Sequence, residues 1–442
     1  MKRAMLWLVL LGAAGGVRAQ ESPVSTYALL YDVRIAPSER AAEVAIHLTD
    51  PSHLLHWVRF DIDPKRQLDW KGDGQVHVEG NTVEWTPPKL GGVLRYSFRI
   101  DRLRDAQSYD ARCSENWAIF RGDDLVPPAR VRSHAGSESR ALLRLRLPKG
   151  WISVVPWRLA ADGSYAVENP DRHFDRPVGW IGVGRLAVAR ETVSGVRLAI
   201  AGPQKQRVPR LDRLALLRWT LPELRGVLGA SMPERIVVLG AGDPMWRGGL
   251  SGPHSMFLHA SRPLIDSDGT SPLLHELVHA SLRIQPGERG DWIVEGVAEL
   301  YSLELLRRSK TVSKRRYEHS LARLAERGSH VQQLEGPHST GDTTAKGATV
   351  LHALDLEIRQ LSGGAASLDG VVLKLAEQGG TVDTQRLRAL SEQVAGASLE
   401  RFFAKNLPSA GKAPAGAPKP AATEPESGPS PTEAPPGDEP KP

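Results

Sequence analysis

From Thr26 to Val193 apolar and polar residues alternate in short runs such as "AEVAIHL", "TVEWTP", "LRYSFRI" and "ALLRLRL", separated by Pro, Gly and Asp. A period of two puts successive side chains on opposite faces, so each run predicts a strand with one buried face. Residues 20–193 therefore read as an all-β sandwich. Its tryptophans, Trp57, Trp70, Trp85, Trp117, Trp151, Trp157 and Trp180, read as core packing rather than a sugar platform.

Beyond Val193 the texture changes. "VRLAIAG" and "ERIVVLG" predict strands, and "RLDRLALLRWTLPELRGVLG" between them predicts a helix interrupted near Pro222. The Gly-rich "MWRGGLSGPHSMFLHASRP" follows, in which "SMFLHAS" reads as an edge strand. A helix is expected from about Ser271, and nearly everything after Asp291 has helical periodicity. The expectation is an α+β unit over 194–310 and a helical subdomain over 311–408. From Ser409 the chain is Pro, Ala, Gly and Glu without an apolar period, so 409–442 reads as a disordered tail.

The N-terminus departs from both patterns. Lys2 and Arg3 precede an apolar run from Ala4 to Leu11, and Val17-Arg18-Ala19 offers small residues at the cleavage positions, which predicts a signal peptide over 1–19. The run is short for a bilayer span, and no other stretch approaches the length one needs, so the mature chain is expected outside the cytoplasm, periplasmic or extracellular, without a transmembrane segment. Losing Lys2, Arg3 and Arg18 takes the net charge from +6 to +3. That balance, with basic residues scattered rather than clustered, argues against a nucleic-acid partner. The lone Cys113 has no internal disulfide partner and reads as a small buried side chain.

Candidate chemistry is concentrated in "SPLLHELVHASLRIQPGERGDWIVEGVAELY", residues 271–301. His275-Glu276-Leu277-Val278-His279 is an HExxH pattern: on a helix the two imidazoles lie one turn apart on one face and can reach one ion, while Glu276 can point at a water on it. The Pro and glycines of "IQPGERGD" can turn the chain back. Glu295 and Glu299 are then four apart on a helix bordered by Ile293, Val294, Val297, Ala298 and Leu300, where ionised carboxylates are costly unless paired or metal-bound. Glu295 is the expected third ligand of one Zn²⁺ with an open fourth position, Glu276 the general base, and Glu299 the hydrogen-bond acceptor for the far nitrogen of a zinc-bound histidine, His275. Gly296 is expected where the two helices pack closely.

"HELVH" followed by "WIVEGVAELY" resembles the gluzincin metallopeptidases, in particular the aminopeptidase N and glycyl-aminopeptidase-like families, and the likeness extends over about Val196 to Leu407. The resemblance implies a thermolysin-like catalytic domain after the β-sandwich, a peptide or protein substrate, and hydrolysis of peptide bonds by a zinc-activated water. It also implies a substrate strand at "GGLSGPHS", with Gly248, Gly249, Leu250 and Ser255. Two departures stand out. Where these families carry a glutamate that holds the substrate's free amine, this chain has Ser251; where they carry a tyrosine two residues before Lys346-Gly347, it has Thr344. His338 is the first candidate to replace the missing oxyanion donor, with His254, Tyr301 and Tyr317 behind it. A catalytically impaired pseudopeptidase, binding a peptide or envelope partner in the same cleft, is the alternative that these departures raise.

Overall fold

The computed structural model describes residues 25–336 and 338–407; the expected signal peptide and tail lie outside the described residues. The alternating runs form strands as predicted. In Thr26–Ala36 the side chains of Tyr27, Leu29, Tyr31, Val33 and Ile35 are buried while those between them are not. This strand is central in a seven-stranded sheet, pairing in parallel with Glu138–Arg146 and antiparallel with Ala41–Thr49. A four-stranded sheet, ordered Ala129–Ser133, Leu55–Asp61, Thr82–Thr86, Gln75–Glu79, shares one hydrophobic core with it. Trp85 is fully buried there, and Trp70 stacks on Tyr96 at 3.9 Å between ring centroids.

Sequence alternation misses a third sheet of five strands, Ile152–Val154, Trp180–Gly184, Trp117–Arg121, Tyr109–Cys113 and Arg102–Leu103. Both faces of its central strands are buried, so "WAIFR" and "WIGVG" show continuous apolar runs. Ala118, Phe120, Ile181 and Val183 face the first core, whereas Trp117, Ile119 and Trp180 face a second core with Val237 and Leu239. The sheet is thus a shared wall between two halves of the molecule. At Gly182 a Cβ would stand 2.8 Å from Leu239, so glycine lets the wall and the next sheet approach.

That next sheet has the order Leu186–Val193, Val196–Pro203, Arg235–Leu239, Ser255–Leu258, Gly249–Gly252. Three expectations need correction. Leu186–Val193, read with the β-sandwich, pairs along its whole length with Val196–Pro203 and belongs to this sheet. Ser255–Leu258 is an inner strand, buried at every residue, and the edge is Gly249–Gly252. The helix Arg210–Leu228 runs through Pro222 without a break; Pro222 is exposed, and the buried leucines on the opposite side hold the helix together.

The rest is helical: Pro272–Ser281, Asp291–Arg308, Lys314–Arg327, Gly341–Leu361, Leu368–Gln378, Thr384–Ala395 and Glu400–Asn406. No helix among the described residues is long and apolar enough to cross a membrane. Asp291–Arg308 is buried on nearly every side and crosses Gly341–Leu361 at a pair of glycines. A Cβ on Gly296 would lie 2.8 Å from the Gly347 carbonyl carbon, and one on Gly347 would lie 2.8 Å from the Trp292 carbonyl oxygen. Gly296 therefore serves this crossing rather than the packing of the two motif helices against each other. Because the obstructing atoms are backbone, relief requires the helices to separate. Gly296→Ala is expected to destabilise the protein by about 1–3 kcal/mol, as overpacking of a tight core typically does, read as a lower urea midpoint; an unchanged midpoint would mean that the crossing is looser than it looks.

Candidate metal centre

The HExxH helix starts where its sequence can satisfy a helix end. Ser271 accepts a hydrogen bond from the Leu274 N–H, Pro272 sits in the first turn where its missing N–H costs nothing, and the Ser271 hydroxyl donates to the Leu264 carbonyl at 2.6 Å. Leu273, Leu274, Leu277 and Val278 are buried, which turns His275, Glu276 and His279 toward the cleft. After the helix, Ile284–Pro286 pairs in parallel with Gly380–Val382. Gly287 and Gly290 press against the Val382 carbonyl; a Cβ on Gly290 would lie 1.9 Å from its oxygen. This anchored turn brings the second helix back alongside the first.

The helices bring three ligand-type side chains to one point. His275 Nε2 and His279 Nε2 are 3.0 Å apart, and the Glu295 carboxylate oxygens lie 3.3 Å from the first and 3.4 Å from the second. Among the described residues this is the one group of three or more His, Cys, Asp or Glu side chains spaced to share an ion. Tetrahedral zinc with ligand bonds of about 2.0–2.1 Å has ligand-to-ligand edges of roughly 3.3 Å, so the triangle and its two-imidazole, one-carboxylate donor set both fit zinc. On the far side of His275, Nδ1 lies 3.0 Å from Glu299 Oε2. Such a contact fixes the ring and its tautomer with Nε2 toward the cleft.

Burial disfavours the charged form of His275, but hydrogen bonds with Glu295 and Glu299 more than offset it and hold the imidazole pKa well above its ordinary value. Burial likewise opposes the ionised form of Glu295, and hydrogen bonds with His275 and His279 win, so its pKa is lowered. A metal entering this triangle competes with a proton. Glu276 behaves differently: burial raises its pKa, and the two histidines and the neighbouring Ser251 hydroxyl only partly oppose this. A carboxylate made more basic by its surroundings suits a proton acceptor.

The position of Glu276 is set by the edge strand. A Cβ on Gly249 would stand 2.7 Å from Glu276 Oε1, so only glycine lets the carboxyl lie against that backbone. Gly248 has a different reason, since a Cβ there would run into the Trp246 ring at 2.1 Å. The Gly248 carbonyl accepts from the His259 N–H inside the sheet, whereas the Ser251 carbonyl accepts from Arg121 Nη1 at 3.1 Å. Residues 249 and 251 therefore face outward, and the Gly249 peptide groups lie on the open edge beside Glu276. Leu250 packs part-buried against the second core. Ser255, expected on the substrate strand, is fully buried; its hydroxyl accepts from the Trp180 N–H at 2.8 Å and joins this sheet to the wall.

No protein-family model matches the chain, and no curated protein sequence does. Solved structures do match. An aminopeptidase N family protein from Idiomarina loihiensis superposes with a TM-score of 0.64 at 15% identity, over 86% of this chain and 76% of its own. The M1 zinc metallopeptidase from Deinococcus radiodurans superposes with 0.57 at 17% identity, over 89% of this chain and 96% of its own. A mutant of it bound to a Tyr-Ser-Ala substrate gives 0.58 at 17%, over 87% and 93%. This is the fold of the M1 zinc metallopeptidases.

On that fold the remaining candidates separate. Thr344 lies one turn before Gly347, on the helix face that meets Gly296. Neither tyrosine is free to serve the cleft: the Tyr301 hydroxyl donates to Asp369 at 2.6 Å and that of Tyr317 donates to Glu304. His254 is backed against the end of the HExxH helix, its N–H donating to the Ala280 carbonyl. His338 is exposed and has no hydrogen bond to the triangle among the described residues, but its neighbour Ser339 donates an N–H to Asp291 Oδ2 at 2.6 Å, at the start of the Glu295 helix. Arg121, which sequence reasoning passed over, reaches the edge strand from the wall sheet; nothing local in "FRGDD" signals that reach.

Zinc affinity should separate the two glutamates. Glu295→Gln is expected to remove most of the metal from the purified protein under competition with a chelator, while Glu299→Gln weakens binding by the roughly 10- to 100-fold typical of a supporting partner. A larger loss at Glu299 would reverse their roles.

Proposed function

We propose that the protein is an exported zinc-dependent metallopeptidase that hydrolyses peptide bonds, with His275, His279 and Glu295 as the ligands of one zinc and Glu276 as general base. The observation that carries the reading is the contact of Glu276 with Gly249, which puts a basic carboxylate beside both the ligand triangle and an open strand edge. A zinc held there supplies Lewis-acid polarisation of the scissile carbonyl and makes water acidic enough to attack near neutral pH. The chain's own residues do the rest. An extended peptide pairs with the outward groups of Gly249. Glu276 takes a proton from the attacking water and returns it to the leaving nitrogen as the C–N bond breaks. Glu299 holds the His275 ring in the orientation that keeps Nε2 toward the cleft.

The same edge argues for cleavage within a chain. A free α-ammonium would be held by a carboxylate on the strand, and Ser251 and Gly252 carry none; of the carboxylates nearby, Glu276 is the proposed base and Asp123 is paired at 3.2 Å with Arg121, which donates to the Ser251 carbonyl. With both tyrosines engaged, His338 is the side chain proposed to donate to the oxyanion, its loop tied to the first residue of the Glu295 helix. That engagement of the tyrosines is also what favours the second reading, a pseudopeptidase that binds a peptide in this cleft without turnover.

One assay distinguishes them. The zinc-loaded protein, Glu276→Gln and His338→Ala are each incubated with a diverse peptide mixture and the products mapped. Internal cuts that vanish in Glu276→Gln and slow about 100-fold in His338→Ala, the usual cost of an oxyanion donor, are expected. Zinc-loaded protein without any Glu276-dependent product would leave the pseudopeptidase reading; release of single N-terminal residues would overturn the specificity argument. Export rests on Lys2, Arg3, the apolar run after them and Val17-Arg18-Ala19. The recovered protein is expected to begin at Gln20 on N-terminal sequencing, and an intact Met1 in a cytoplasmic fraction would refute it.

A further inference from the structure

Three histidines gather on the β-rich half, remote in sequence from the HExxH motif. The rings of His53 and His56 are 5.2 Å apart at 75°, and those of His56 and His134 are 4.9 Å apart at 49°. The paired rings of the candidate zinc site, His275 and His279, are 4.7 Å apart at 71°. The ring centroids of the cluster are therefore spaced much as those of the metal-type pair.

The backbone around the cluster is fixed by devices that a plain turn does not need. Both Asp50 carboxylate oxygens accept backbone N–H groups, from Leu54 at 2.9 Å and Leu55 at 2.7 Å. His53 is held at a φ of 52°, a region that non-glycine residues seldom occupy. The His134 N–H donates to the Leu54 carbonyl at 2.8 Å, which locks the two segments together, and the pairing of their strands shifts register between Arg132 and Ser133. Irregularities of this kind re-aim side chains. His53 Nδ1 is buried without a hydrogen-bond partner, an unmet polar group on one of the three rings.

We infer that His53, His56 and His134 form a second metal site, for an imidazole-preferring divalent transition ion such as copper(II), separate from the zinc centre. Neutral imidazoles without a carboxylate ligand favour copper(II) over magnesium or calcium, and first-row affinities peak at copper. In the present rotamers the three sets of nitrogens do not all fall within 4.8 Å of one another, so the proposed site requires a side-chain rotation, for which the exposed His134 has room. His56 is central, in ring contact with both others. Asp50 and Arg132 both lie close enough to act on it, so the cluster carries one fixed charge of each sign beside it.

The full-length protein, carrying one zinc per chain, is titrated with copper(II) and followed by electron paramagnetic resonance, with zinc counted in parallel. One copper per chain with nitrogen hyperfine splitting and no zinc released is expected. His56→Gln should weaken copper binding by more than the roughly 10- to 100-fold that loss of a supporting partner costs, with zinc content unchanged. His134→Gln, at an exposed position, gives the same test without touching the packed part of the domain. Copper that binds equally well to both variants, or that enters only as zinc leaves, overturns the proposal.

Discussion

A carboxylate on a helix that is buried almost all round has to be compensated, and Glu295 is compensated by two imidazoles that arrive from another helix. This pairing is the constraint that orders the rest of the molecule. Three polar groups within 3.4 Å of one another, on helices whose other faces are packed into the core, can be kept only if both helices are held to a fraction of an ångström. The Ser271 cap fixes where one helix begins. The contact of Gly290 with Val382 fixes where the other resumes, and the Gly296–Gly347 crossing fixes its depth. None of these devices touches the candidate ion, yet each sets a ligand's position.

The β-rich half is part of the same arrangement rather than an appendage. Its wall sheet has two apolar faces, one buried against the seven- and four-stranded sheets and the other against the sheet that carries Gly249–Gly252. Trp180 and Ser255 fasten that second interface through a buried hydrogen bond, and Arg121 reaches from the wall to the edge strand's outward carbonyl. Separating the halves would expose the second core and release the strand against which Glu276 rests.

What the sequence revealed follows the range of the interactions involved. The spacing of His275, His279, Glu295 and Glu299 is a property of single helices, and helical period reads it directly. Sheet order is a long-range property that "SMFLHAS" alone does not carry, although its four consecutive buried residues are the mark of an inner strand. The wall strands hid their role for the same reason, since residues buried on both faces do not alternate. Pro222 signals a break locally, since an interior proline costs about 3 kcal/mol, but Leu216, Leu217, Leu221 and Leu224 are buried in the core and outweigh it. Gly296 reads as a close approach between the two motif helices, but the approach is to the helix that starts 45 residues later at Gly341, which the motif cannot name.

Outward parity at residues 249 and 251 limits how a substrate can add to the sheet. Only two residues of the four-residue edge strand present their peptide groups to the cleft, and the carbonyl of the second is already taken by Arg121. On the proposed reading, a peptide therefore gains its strand-like hydrogen bonds at Gly249, directly against Glu276, and its ladder ends where the wall sheet intervenes. Backbone pairing so short contributes little affinity, since a hydrogen bond nets about 1 kcal/mol after water is displaced, but it fixes the scissile bond within reach of the base. Selectivity must then come from side-chain contacts elsewhere in the cleft. On the same reading the strand itself carries no carboxylate at Ser251 to hold a terminal ammonium, and Arg121, its charge matched by Asp123 at 3.2 Å, takes the carbonyl beside it. The same short edge suits a chain that continues past it in both directions.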